Sequence, residues 1–109
     1  MALTVKNQAN GQLGTGPQGV LYTVPNGKAA IVKNLRVANT DTTARTFNLW
    51  FKLSGGTARL VSPSAMSLGA GSVAIDNQEI TLAQSDQILG DGSVALKLDY
   101  VISGIERDA

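Results

Sequence analysis

The clearest alternation of apolar and polar positions lies between Arg45 and Leu53. Phe47, Leu49, Phe51 and Leu53 fall on one face of an extended strand, and Thr46, Asn48, Trp50 and Lys52 on the other. Such a strand covers a core on one side and meets water or a partner on the other. Two further strands are predicted before it. Gly19–Val24 is short and rich in Val, Leu, Tyr and Thr, and Lys28–Asn39 is long. Pro25-Asn26-Gly27 separates them as a tight turn, since Pro fixes φ at a corner and Asn-Gly accepts positive φ. Asn39–Thr43 is a loop of turn formers. The long strand alternates imperfectly, with Val32 on one parity and Ile31, Leu35 and Val37 on the other. A regular strand would bury Lys33. One extra residue inverts the face, so a β-bulge or bend is expected between Val32 and Leu35. The alternative is an edge position from which the Lys33 ammonium reaches water.

Beyond Leu53 the pattern shortens. Strands are predicted at Ala58–Val61, weakly at Ala65–Leu68, at Ser72–Ile75 and at Glu79–Ala83, where Ile80 and Leu82 share a face. Ile88-Leu89 is a brief apolar step between turns. Ser93–Gly104 is the last long strand, with Val94, Leu96, Leu98, Tyr100 and Ile102 on one face and Lys97, Asp99 and Ser103 opposite. Glu106–Ala109 reads as a charged tail. Residues 1–18 hold few large apolar groups (Leu3, Val5 and Leu13), and Asn10-Gly11, Gly14 and Gly16-Pro17 interrupt them. Two readings stand: a disordered terminus, or an extended arm that lies on a partner by strand addition through Leu3 and Val5.

No segment carries a helical stripe. Seven to eight short strands with turn signals about every ten residues predict an all-β chain, an antiparallel two-sheet β-sandwich or jelly roll. The division expected is an arm over 1–18, a sandwich over 19–105 and a tail over 106–109. A length of 109 residues suits one domain. Charged residues make up 16% of the chain, nine basic against eight acidic, with no polybasic run, so attraction to nucleic acid is not expected. No apolar run reaches membrane-spanning length, and the start lacks the pattern of a signal peptide. The absence of cysteine excludes disulfides and thiolate metal sites and fits folding in a reducing cytoplasm.

Catalytic chemistry finds little to work with. There is no histidine, which removes the usual general base and most metal sites. Asp76 and Glu79 are near in sequence but sit among turn formers, and surface turns explain them better than a glycosidase pair. Asp86 and Asp91 lack the alternating spacing of a calcium loop. Gly11, Gly14 and Gly16 show no phosphate-loop spacing. No enzyme, cofactor or metal site is expected. Trp50 is the feature that remains, on the parity opposite Phe47 and Phe51. It covers the second face beneath a loop, anchors an oligomer or partner interface, or stacks on a sugar or base. Arg36, Arg45, Lys52 and Arg59 lie on or beside the strands, interspersed with Thr and Asn.

The run Leu21-Tyr22-Thr23-Val24-Pro25-Asn26-Gly27-Lys28, followed by Val37-Ala38-Asn39-Thr40, resembles a pattern recurrent in small virion proteins of tailed bacteriophages. There, "LYTVP-x-G-K" opens a strand pair and "V-x-N-T" follows. Ile80-Thr81-Leu82, Asp86-Gln87-Ile88, the Gly-rich turn and Val94–Gly104 fit the same layout, so the resemblance spans about Val20 to Ile105. It implies a non-enzymatic structural protein and carries over no catalytic residue. Small β-sandwiches of this kind serve as capsid cement or decoration proteins, as tail or head–tail accessory parts, and as fibre modules. The expected role is cement: a protein made in the bacterial cytoplasm that binds the major capsid protein at capsomer junctions on the head surface, itself a dimer or trimer. A tail or head–tail accessory protein and a carbohydrate-binding module are the alternatives. The residues expected at the partner or oligomer interface are Leu3, Val5, Leu13, Arg36, Trp50 and Lys52.

Overall fold

Ten strands form among the described residues, all antiparallel, in two sheets. The computed structural model describes residues 3–62, 65–77 and 79–108, the first four of these by backbone alone. The strands are β1 (Leu3–Gln12), β2 (Gly19–Thr23), β3 (Lys28–Asn39), β4 (Arg45–Lys52), β5 (Arg59–Leu60), β6 (Met66–Leu68), β7 (Val73–Asp76), β8 (Ile80–Leu82), β9 (Gln87–Gly92) and β10 (Leu98–Asp108). One sheet runs β1-β10-β3, with β7 and β8 end to end along the far edge of β3. The other runs β2-β9-β4, with β6 and β5 end to end along the far edge of β4. The chain is therefore an antiparallel two-sheet β-sandwich.

The alternation in β4 sets the core. Phe47 and Leu49 are buried, and Phe51 packs against the same cluster. From the other sheet Val32, Leu35, Val37, Leu98 and Ile102 meet them. Each large apolar side chain so buried contributes about 1.5–3 kcal/mol. Leu53 falls outside β4 and is exposed, because Ser54-Gly55-Gly56 turns the chain directly after it.

The inversion expected in β3 occurs at Lys33. Asn34 pairs with Ser103 and Val32 with Gly104, which leaves Lys33 as the extra residue. Ile31 therefore faces outward and Leu35 inward, and the Lys33 ammonium stays in water, 2.6 Å from Glu79. Gly104 is required opposite the bulge, since a Cβ there would lie 2.0 Å from the Ile31 carbonyl oxygen. A second bulge in β1 lies beside it. Asn7 pairs with Ser103 and Ala9 with Ile102, which leaves Gln8 unpaired. Its amide donates across β10 to the carbonyls of Ile105 (3.3 Å) and Ile31 (3.5 Å).

Four stretches differ from the sequence reading. Residues 3–12 of the expected arm pair along β10 of the same chain, and Leu13 is wholly buried in the core. Residues 106–108 of the expected tail continue β10, because Tyr22 lies opposite Glu106 and satisfies it. The last strand begins only at Leu98; Val94 and Leu96 lie in a turn, and Leu96 is exposed with φ of 64°. The apolar step Ile88-Leu89 is the middle of β9, a central strand.

Candidate interaction surface

Register places four apolar residues side by side on the outer face of the β2-β9-β4-β5 sheet. Val20 pairs with Leu89, Leu89 with Trp50, and Trp50 with Leu60. Paired residues share a face, and the neighbouring pairs Tyr22–Ile88 and Ile88–Phe51 point into the core. The row thus crosses the whole sheet, about 14 Å at three strand spacings. Val20 is 58% exposed and Leu60 49%, while Leu89, held between Val20 and Trp50, is 4% exposed. Trp50 is half-buried at the centre.

Polar rows border it. On one side Asn48 Nδ2 donates to Asp91 Oδ1 at 3.0 Å, and the Gln18 amide donates to Asp91 Oδ2 at 3.0 Å. On the other side stand Lys52, Gln87 and Thr23, with Gln87 Nε2 donating to Thr23 Oγ1 at 3.2 Å. An apolar centre with a polar rim is the composition of a protein interface. The remaining aromatic residues, Tyr22, Phe47, Phe51 and Tyr100, all pack against the core. Trp50 therefore has aliphatic neighbours and no second ring beside it.

The six residues expected at an interface are dispersed. Trp50 and Lys52 share the outer face just described. Arg36 is exposed on the opposite side of the molecule, between Val101 of β10 and Ile75 of β7. Leu13 is unavailable to any partner. Leu3 and Val5 pair by backbone with Arg107 and Ile105, and their side chains lie outside the described residues. The sequence reading missed Val20, Leu60 and Leu89. Their parity was legible, but their alignment with Trp50 needed the strand order.

Three polar groups with the look of chemistry prove to be structural. Tyr22 Oη donates to Glu106 Oε2, and both residues are buried. Burial first, then the hydrogen bond to Glu106 and its charge, hold the phenol above its usual value. Neither residue lines the cleft between β7 and the β4-β5-β6 edge or the one between β1 and β10. Asp86 accepts from the amides of Ser54 and Ala83, each at 2.9 Å, and so ties two turns together. Asn39 is buried where β3 ends. Its Nδ2 donates to the carbonyls of Leu68 (2.9 Å) and Thr43 (3.0 Å), and its Oδ1 accepts from the Asp41 amide (2.9 Å). Asp76 and Glu79 do not converge: Glu79 meets Lys33, and Asp76 stands at the rim of an apolar cleft of about 200 Å³ between β7 and the β4-β5-β6 edge.

No family model matches the sequence, and a comparison with curated proteins finds no similar one. A solved structure shares the fold. A chain in the acid-stable capsid structure of Helicobacter pylori bacteriophage KHP30 superposes with a TM-score of 0.52 at 10% identity, covering 97% of this chain and 87% of that one. A chain in the structure of infectious bursal disease virus, Gx strain, gives a TM-score of 0.49 at 17% identity. The present chain covers 32% of its length. The Gt strain of the same virus gives 0.39 at 13% identity.

Proposed function

We propose that this chain is a structural protein of a bacteriophage particle that cements or decorates the capsid. The supporting observation is the end-to-end likeness to a chain of a phage capsid, which takes in 97% of one and 87% of the other. The likeness is one of fold, and the function is inferred from it. The surface agrees with the role: a broad sheet face with an apolar row, and buried polar groups committed to holding strands and turns. The cement protein sits on the outer capsid at junctions between capsomers and holds both sides. A standard interface buries about 800 Å² per partner, and many such junctions act together over a shell. The open edge of β1 is the proposed contact with the major capsid protein, because an edge strand offers unpaired backbone groups for strand addition.

Immunogold electron microscopy of source particles tests this reading. Label spread evenly over the heads is the expected result. Label confined to the tail or to one vertex replaces cement with an accessory role. Unlabelled particles reject the virion role, and a glycan array then tests carbohydrate binding at Trp50.

A further inference from the structure

We propose that the outer face of the β2-β9-β4-β5 sheet is a two-fold interface with a second copy of this chain. Charge as well as polarity singles out this occupant. Along the described residues of these four strands, the charged side chains on this face are Asp91 and Lys52, one on each side of the Val20–Leu89–Trp50–Leu60 row. A two-fold axis lying along the row turns the second copy over and reverses its strand direction. Row then meets row. The same rotation exchanges the two flanks, so each copy's Asp91 faces the other's Lys52. The two residues sit on adjacent strands, β9 and β4, so their offset is one strand spacing of about 4.8 Å, within the reach of a lysine side chain. A second copy supplies the matching row and both opposite charges by symmetry. The contact is isologous and closes at two.

A stable interface needs about 800 Å² per partner, or about a seventh of the 5764 Å² surface, and the apolar row crosses only four strands. The dimer is accordingly weak, and Trp50 is its principal anchor. Dimerisation is read in solution, so this inference stands or falls separately from the particle role.

Trp50 is the sole tryptophan, so its emission reports on the contact directly. Sedimentation equilibrium and tryptophan emission are followed on the intact chain from about 1 µM to about 1 mM, the range in which a weak dimer forms. The expected result is a monomer–dimer equilibrium with a blue shift of emission on the same concentration axis, weakened by salt. Lys52→Glu and Asp91→Lys each place like charges in contact, and each weakens association about tenfold or more. An equimolar mixture of the two variants restores opposite charges at both contacts and recovers the dimer. Circular dichroism checks that each variant is folded. Should Asp91→Lys lose its fold, Lys52→Glu and Trp50→Ala carry the test, and each must weaken association by that factor. A chain that stays monomeric with unshifted emission overturns the proposal, as does association that survives both substitutions. Emission that shifts only when purified capsids are added assigns the face to a capsid protein instead.

Discussion

Tyr22 and Glu106, 84 positions apart, join the two sheets through one buried hydrogen bond of 2.5 Å from the phenol to the carboxyl group. Tyr22 comes from β2 and Glu106 from β10, so the bond crosses the sandwich.

The sign of its pH dependence follows from Tyr22. Its folded pKa is raised above the usual 10. The unfolded chain therefore releases this proton first, so stability is intact below pH 10 and falls as pH rises beyond it. Tyr100, raised by burial, adds to the same decline. Tyr22→Phe is expected to cost about 1–3 kcal/mol at neutral pH and to flatten part of the alkaline loss. Urea titrations on both sides of pH 10 measure both effects. An unchanged alkaline slope would remove Tyr22 as its source.

Gly104→Ala is expected to destabilise by about 3 kcal/mol or more, because the new Cβ meets backbone at Ile31 and Lys33 that the bulge holds in place. Gly27→Ala is the comparison. Gly27 has φ of 78° but open space around it, so strain alone applies, about 1–2 kcal/mol. Equal losses in thermal melts would mean that the bulge yields.

Asn39→Asp turns an amide donor into an acceptor among the carbonyls of Leu68 and Thr43. A loss of about 3 kcal/mol or more is expected, beyond that of one neutral hydrogen bond. Asn39→Ala serves as reference. The aspartate variant should be the less stable at neutral pH and should recover partly in acid, where its carboxyl protonates.

Asp41 responds in the opposite direction to Tyr22. The hydrogen bond from Arg45, then that from the Thr42 amide, hold its carboxyl below the usual value of 3.8. Its contribution is present above that value and fades as pH falls through it. Asp41→Asn should lessen the acid loss of stability, and a melting series below pH 4 would detect this.

Sequence alone carried the central strands well. Strict alternation placed Phe47 inside and Trp50 outside, and the broken parity around Lys33 located the bulge. It failed where a partner strand supplies what the local pattern lacks. Leu3–Gln12 is polar and glycine-containing, yet β10 gives it a ladder. Glu106 looks like part of a solvated tail until Tyr22 is opposite it. Val94 and Leu96 keep a strand's parity, but Gly90-Asp91-Gly92 is no turn; the turn follows it and claims them. The apolar row on the outer face was invisible for a related reason, since its members come from four strands and their alignment depends on strand order.

The central place of β10 governs how the chain can assemble during synthesis. Leu3–Gln12 leaves the ribosome before Leu98–Asp108 and waits for it, since that strand separates it from β3. Until that later segment emerges, half of the sandwich lacks its middle, and β1 is an unpaired strand exposed to any neighbouring nascent chain. Residues 3–12 and 98–108 thus act as one late-closing unit, and a translational pause before Leu98 would prolong the interval in which this chain is most prone to pair wrongly.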